Sequence, residues 1–165
     1  MGFYLNSAAP YFLYKSEVNS PYFVDKSQLL KELFPFVEQG NKHVCITRPR
    51  RFGKTVMANM IGAFFGKGVD SHETFDALKI SESASYQRHI NKYDVIYIDF
   101  SKMPNECNSY SMYISRIEKK LKRDFTKAFP DSEIDTEDSL WDILDQIFNE
   151  YGGQQFIFVM DEWDN

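Results

Sequence analysis

The sequence has few cysteines and no long apolar run, and each absence excludes a class of protein. Its two cysteines, Cys45 in an expected apolar strand and Cys107 in an expected polar turn, lack metal-site spacing, so we predict reduced thiols. The apolar runs are only a few residues long, whereas a membrane-spanning helix needs about 20. The N-terminus shows no basic region followed by an apolar signal core. The sequence therefore predicts a cytoplasmic globular protein without membrane contact.

Basic residues are also absent from one part of the chain. Residues 128–165 contain eleven acids and no Lys or Arg, while residues 1–127 contain nineteen bases and thirteen acids, so the two parts carry formal charges of −11 and +6. Such asymmetry can indicate a nucleic-acid surface. We interpret the basic residues of the predicted helix around 110–125 as a solvated face and expect the chain to bind DNA weakly and without sequence preference. These residues are Lys119, Lys120, Lys122, Arg123 and Lys127.

Residues 48–55 read RPRRFGKT and lie between two apolar segments. The segment before them, 43–47, predicts a strand, and the segment after them has apolar residues at helical spacing as far as Phe65. Strand, loop and helix in this order form the setting of a phosphate-binding loop, Gly-x-x-x-x-Gly-Lys-[Ser/Thr]. Its backbone N–H groups surround the phosphates, its lysine reaches the β- and γ-phosphates, and its hydroxyl ligates magnesium.

The match to this loop is incomplete, because an arginine stands where the first glycine is expected. A positively charged first turn of a helix is the alternative reading. The candidate phosphate-binding residues are Arg48, Pro49, Arg50, Arg51, Phe52, Gly53, Lys54 and Thr55.

The second half of a nucleotide site is indicated by the apolar run 156–160, which leads directly into Asp161 and Glu162. An aspartate at the end of a buried strand can hold the magnesium shell, and an adjacent glutamate can deprotonate the attacking water. A core strand that ends in a polar turn is the alternative. Because both halves occur in the expected order, we assign Thr55 and Asp161 to the metal and Lys54 and Glu162 to catalysis. Asp164 would be the next candidate base.

These motifs resemble those of the bacterial AAA-ATPase-like family. The resemblance rests on Tyr22–Lys26 with the leucine-rich stretch after it, on the RPRRFGKT loop and on the DEWD sequence at 161–164, and it spans nearly all 165 residues. In that family the arginine form of the loop is usual, whereas Trp163 stands where a tyrosine is expected. The resemblance implies ATP and Mg²⁺ as cofactors, a PD-(D/E)XK-type nuclease domain further along, and nucleic-acid contact through it. Tyr22 and Phe23 are candidates to flank the base, with core packing as the alternative.

The remaining pattern predicts the fold. A strand over 95–100 ends in Asp99 and Ser101, which suit a supporting role at the site or a simple turn. Helices follow over about 110–125 and 140–151, and a residue at 108 or 109 should cap the first. This alternation predicts a parallel three-layer α/β architecture with right-handed crossovers. Together with the site motifs and the family resemblance, it leads us to expect a P-loop NTPase of the additional-strand class. One domain is expected over 1–165, with a lead-in segment at 1–40 and an incomplete α/β core at 43–165.

The predicted function is ATP binding and hydrolysis with Mg²⁺, regulating or powering an attached nuclease. A nucleotide-sensing switch without turnover is the alternative, and a phosphotransferase is the third reading.

In the additional-strand class, one later strand separates the two strands of the site. We therefore expect a chain truncated after its Asp-Glu strand, with 43–47 and 156–160 facing a gap or carrying exposed edges. Unpaired buried backbone groups cost about 1–3 kcal/mol each, so we expect low stability unless a partner or oligomer supplies a strand.

Overall fold

The secondary structure is a mixture of helices and two strands. A computed structural model describes residues 1–39, 43–47 and 53–163. The α-helices are α1 (Ala9–Val18), α2 (Phe34–Gln39), α3 (Lys54–Phe65), α4 (His72–Phe75), α5 (Tyr86–His89), α6 (Tyr110–Ala128) and α7 (Leu140–Glu150). Two 3-10 helices span Ser27–Leu33 and Lys79–Glu82, and the strands are β1 (Asp94–Asp99) and β2 (Phe156–Asp161). Within these ranges no helix has the length and apolarity needed to cross a bilayer.

Strands β1 and β2 pair in parallel, in a register that sets Asp94 opposite Phe156 and Asp99 opposite Asp161. Helices α6 and α7 form the connection between the two strands, as parallel pairing requires a long crossover. Both strands were predicted, the first with a shift of one residue. The other edge of β1 is covered by the N-terminal segment: the N–H of Asn6 donates to Val95 O at 2.7 Å, and the N–H of Tyr97 donates to Tyr4 O at 3.1 Å. The sequence pattern gave no placement for this segment.

The two faces of the sheet bury two different cores, because successive strand residues point to opposite sides. Val95, Tyr97 and Val159 pack with α1, α2, α3 and the 3-10 helices. Ile96 and Ile98 pack with α6 and α7. The described chain is thus mixed α/β with helices on both faces of a parallel pair.

The predicted helices form close to their expected limits. Helix α3 ends at Phe65 as expected, and Ser109 caps α6 by accepting a hydrogen bond from the N–H of Met112 at 3.3 Å. On α7 the apolar residues Leu140, Leu144, Ile147, Phe148 and Tyr151 predict a buried face, but Phe148 is exposed and Ile143 is fully buried instead. A proline at position 35 predicts the end of a short helix, yet Pro35 lies in the first turn of α2, where its missing N–H costs no hydrogen bond.

The predicted strand at 43–47 is wrong for the structure described. These residues adopt no regular secondary structure and all five are exposed, including Val44, Cys45 and Ile46. Among the described residues the sheet has two strands, so no partner is present beside 43–47 to satisfy the backbone groups of a strand. The burial of the two cysteines is the reverse of what was expected. Cys45, expected in an apolar strand, is exposed, whereas Cys107, expected in a polar turn, is buried.

Candidate functional site

Helix α3 begins at a glycine whose backbone only glycine adopts readily. Gly53 has φ 78° and ψ 30°, the left-handed conformation, which costs other residues about 1–2 kcal/mol. A Cβ there would meet nothing within 4 Å, so the constraint is conformational and not steric. Lys54 and Thr55 follow as the first residues of the helix, the lysine partly exposed and the threonine exposed. No side chain among the described residues caps this N-terminus, which leaves the first-turn N–H groups and the positive end of the helix dipole available to an anion.

Asp161 lies at the carboxyl end of β2 and is only 6% exposed. Its side chain shares the α3-facing side of the sheet with Val159, two residues earlier. Its Oδ1 atom accepts the N–H of Glu162 at 3.1 Å, whereas its buried Oδ2 atom has no hydrogen-bond partner among the described residues. Burial raises the pKa of Asp161, and the charges of Asp99 and Glu162 raise it further, while the Thr55 hydroxyl lies close enough to oppose the shift. The fold therefore brings Thr55 and Asp161 together.

This pair fits a magnesium ion. A buried carboxylate oxygen that has no hydrogen-bond partner among the described residues is costly unless something binds it, and Thr55 lies close to the same carboxyl group. In the described ranges no three His, Cys, Asp or Glu side chains cluster to form a metal site made by protein ligands alone. Magnesium does not require such a cluster, because one or two carboxylates together with water and substrate phosphates usually complete its shell.

Glu162 follows Asp161 in a strained backbone conformation. Its φ is 55°, which non-glycine residues rarely adopt, and its side chain is partly exposed. Left-handed conformations of such residues cost about 1–3 kcal/mol and occur often at functional sites. The turn places the next residue, Trp163, at the surface with its ring 67% exposed.

Asp99 is the cross-strand neighbour of Asp161. Its Oδ1 atom accepts the N–H and the hydroxyl of Ser101 at 3.0 and 2.6 Å, and its Oδ2 atom pairs with Lys102 at 2.9 Å. Burial opposes ionisation of Asp99, but these contacts outweigh it and hold its pKa below the ordinary value. Asp99 thus forms the strand-end turn that the sequence allowed and also places a negative charge next to Asp161.

A buried polar pair below the site was missed by the sequence analysis. The Tyr97 hydroxyl donates to Asn59 Oδ1 at 2.8 Å, which joins β1 to the second turn of α3. Burial raises the pKa of Tyr97, and the charges of Asp161 and Asp99 raise it further. The sequence does contain a signal for this pair: Asn59 is a polar residue on the apolar side of a predicted helix, and a buried amide needs a hydrogen-bond partner.

An apolar groove adjoins the start of α3. It is lined from three sides: by the first 3-10 helix and α2, by the exposed segment 43–47, and by α3 itself. Its residues include Leu29, Leu33, Phe36, Val44, Ile46 and Met57. Tyr22 and Phe23, the aromatic residues considered as contacts of the base, are not among the residues that line this groove. Tyr22 is 90% exposed, and Phe23 packs edge-on against Tyr14 in the core.

Comparison with known proteins identifies the family. The family model described as a predicted AAA-ATPase matches residues 15–165. The chain belongs to the AAA-ATPase-like family. No curated protein and no solved structure matches it.

For this AAA-ATPase-like protein, the structure describes part of the candidate site. The described candidates are Gly53, Lys54 and Thr55 at the start of α3, and Asp161 and Glu162 at the carboxyl end of β2. The other candidates lie outside the described residues. These are Arg48, Pro49, Arg50, Arg51, Phe52 and Asp164.

Proposed function

We propose that this domain binds ATP with Mg²⁺ and hydrolyses it, and that its α/β core is of the additional-strand P-loop class. One observation carries the proposal: the Asp161 carboxyl group, whose buried Oδ2 atom has no hydrogen-bond partner among the described residues, lies close to Thr55 in the first turn of α3. An exposed helix N-terminus, a lysine, a hydroxyl and a buried carboxylate are the groups that a triphosphate with magnesium requires. The family match supports a nucleotide as the ligand.

Each residue has a distinct role in this proposal. The backbone of Arg51 to Gly53 would surround the phosphates, and Arg48 to Phe52 would complete the loop. Lys54 would balance charge on the γ-phosphate, while Thr55 and Asp161 would hold Mg²⁺. Bound Mg²⁺ would neutralise charge that develops on the phosphate oxygens. Glu162 would accept a proton from the attacking water. Control of an attached nuclease, with nucleic acid reached through it, extends the same proposal to a longer protein.

The lysine is tested by calorimetric titration with MgATP. Lys54→Ala should weaken binding roughly ten- to hundredfold, since hydrogen bonds to charged groups contribute about 1.5–3 kcal/mol. Lys92→Ala is the matched control, because Lys92 is exposed in a turn away from the candidate residues. Clear binding with equal affinity in wild type and Lys54→Ala would remove the phosphate-loop assignment.

The carboxylates are tested by separating binding from turnover. Asp161→Asn should reduce the magnesium dependence of ATP binding, because the amide cannot supply the anionic ligand. Glu162→Gln should retain nucleotide and lose hydrolysis, because the amide cannot accept a proton. Release of inorganic phosphate, measured in this chain and in any longer polypeptide that contains it, decides the second point. Binding by the wild type without any turnover would favour the nucleotide-sensing switch.

The apolar groove beside α3 is our proposed site for the base. The groove is lined by apolar side chains apart from Glu32. One of its lining residues, Met57, lies in the first turn of α3, the helix that would hold the phosphates. Leu29, partly exposed at its rim, offers a test. Leu29→Ala should weaken ATP binding and leave the binding of inorganic triphosphate unchanged. Equal loss for both ligands would show that the groove does not contact the base.

A further inference from the structure

Helix α6 carries a line of four cations on one side. Arg116, Lys120, Arg123 and Lys127 follow one another at intervals of four, three and four residues. With 3.6 residues per turn, all four fall within an arc of about 60° and extend over about 16 Å. We call this line the cationic stripe. It flanks the buried face of α6, which packs Tyr113, Ile117 and Leu121 into the second core.

The nearest acid, Asp124, offsets the positive charge of the stripe only in part. Asp124 is buried, and its carboxylate is turned inward to accept three backbone N–H groups, from Phe3 at 2.9 Å, Tyr4 at 2.7 Å and Leu5 at 3.1 Å. Arg116 has only a long contact of 3.8 Å with the highly exposed Glu106. Among the described residues Arg123 and Lys127 form no ion pair. Burial lowers the pKa of Lys120, and repulsion from the two arginines lowers it further, which agrees with an excess of positive charge.

The stripe borders a groove whose other wall is the start of the chain. Gly2 lies so close to α6 that a Cβ would come within 2.4 Å of Asp124 Cγ, so only glycine permits this approach. Phe3 is 58% exposed, and the Nζ atom of Lys120 lies 3.3 Å from its ring centroid. The rest of the lining consists of Met1, Lys120, Arg123, Asp124 and Lys127. An exposed aromatic ring therefore stands beside a line of cations.

We propose that this groove binds single-stranded nucleic acid through its phosphate backbone, without sequence preference. A straight line of four cations fits a polymer that carries one negative charge on each unit, and exposed aromatic rings offer bases a stacking surface. The sequence analysis treated the basic helix as a solvated face. It could not have foreseen that Phe3 would lie beside the helix and that Asp124 would be withdrawn from the surface. The proposal is independent of the ATP site.

The experiment is fluorescence anisotropy with a labelled oligo-thymidylate and a labelled mixed-sequence strand, each of about 20 nucleotides. If all four cations contact phosphates, the affinity of the full chain should fall about 50-fold between about 50 and 200 mM salt. Arg123→Gln combined with Lys127→Gln should weaken binding and reduce this fall to about sevenfold. Both side chains are exposed, so the fold should persist, as circular dichroism can verify.

A matched control removes two positive charges elsewhere. Lys26→Gln combined with Lys92→Gln changes the net charge equally at two exposed positions off the stripe and should bind like wild type. The proposal is overturned if neither strand binds at the lower salt concentration, or if the control loses as much affinity as the stripe variant. A clear preference for one of the two strands would contradict backbone recognition. Self-association that depends on Arg123 and Lys127, without oligonucleotide binding, would assign the stripe to a second copy of the chain instead.

Discussion

Strand β1 and the segment 43–47 are both short apolar runs that the sequence predicts as strands, yet only one forms. Strand β1 has hydrogen-bonded neighbours on both edges, β2 on one side and residues 4–6 on the other. The segment 43–47 has no neighbouring strand among the described residues, and its apolar side chains are exposed. The comparison shows that apolar and β-branched content permits a strand, whereas the presence of a backbone partner decides whether it forms.

The largest expected effect is at the centre of β1. Ile96 is fully buried in the core that β1 forms with α6 and α7. Ile96→Ala should therefore lower the free energy of unfolding by about 2–5 kcal/mol, because it loses buried apolar area and leaves a cavity. Urea denaturation followed by circular dichroism measures this change. A loss below about 1 kcal/mol would mean that β1 is not the organising strand.

The next effect tests the edge of β1 that the N-terminal segment covers. Asn6 donates to Asp94 Oδ1 at 2.6 Å and accepts the N–H of Val95 at 3.0 Å, from a left-handed backbone with φ 51°. Asn6→Ala should lower the free energy of unfolding by about 1–3 kcal/mol, because it leaves buried groups without partners. Asn105→Ala, at an exposed position, is the control. Equal urea midpoints for the two variants would contradict the role of the edge.

The matched truncation in the unpaired segment should have little effect. Ile46 is 37% exposed, and Ile46→Ala should change the free energy of unfolding by no more than about 0.5 kcal/mol, as is usual for surface substitutions. The same urea experiment without nucleotide measures it. A loss close to that of Ile96→Ala would show that 43–47 is buried in solution.

The last prediction concerns the hydrogen bonds that join His89 to Glu38 and Tyr93 and hold the end of α2, which we call the His89 clamp. His89 is buried, its Nε2 atom lies 2.9 Å from Glu38 at the end of α2, and its Nδ1 atom lies 2.7 Å from the Tyr93 hydroxyl. Burial lowers the pKa of His89, and the Glu38 carboxylate offsets this only in part. The unfolded chain therefore binds a proton at a higher pH than the folded chain, so His89 reduces stability as pH falls below the ordinary histidine pKa of about 6.5.

The pH dependence of urea midpoints tests this clamp. Between about pH 7.5 and 5.5 the wild type should lose stability, and His89→Gln should show a smaller slope whatever its absolute stability. His72→Gln is the control, since His72 is partly exposed and pairs with Asp70 near the surface. An unchanged slope in His89→Gln would mean that folding does not shift the pKa of His89.

Prediction from the sequence succeeded where a local pattern and its tertiary surroundings agree. The apolar periodicity after Thr55 gave α3, and Ser109 gave the cap of α6. It failed where the outcome depended on distant partners. Asn6 and Asp124 acquire their roles from residues about ninety and one hundred and twenty positions away, and no spacing in the sequence encodes those contacts.

The sequence by itself determined the α/β class, the approximate limits of α3, α6 and α7, both strands of the sheet and the membership of the AAA-ATPase-like family, because each depends on local periodicity or on a contiguous motif. Only the tertiary structure decided that 43–47 is not a strand, that Asp161 is buried close to Thr55 with one oxygen lacking a partner among the described residues, and that the N-terminal segment forms one edge of the sheet. These outcomes depend on which backbone and side-chain groups find partners after the chain has folded. A partner far away in the sequence leaves no local signal.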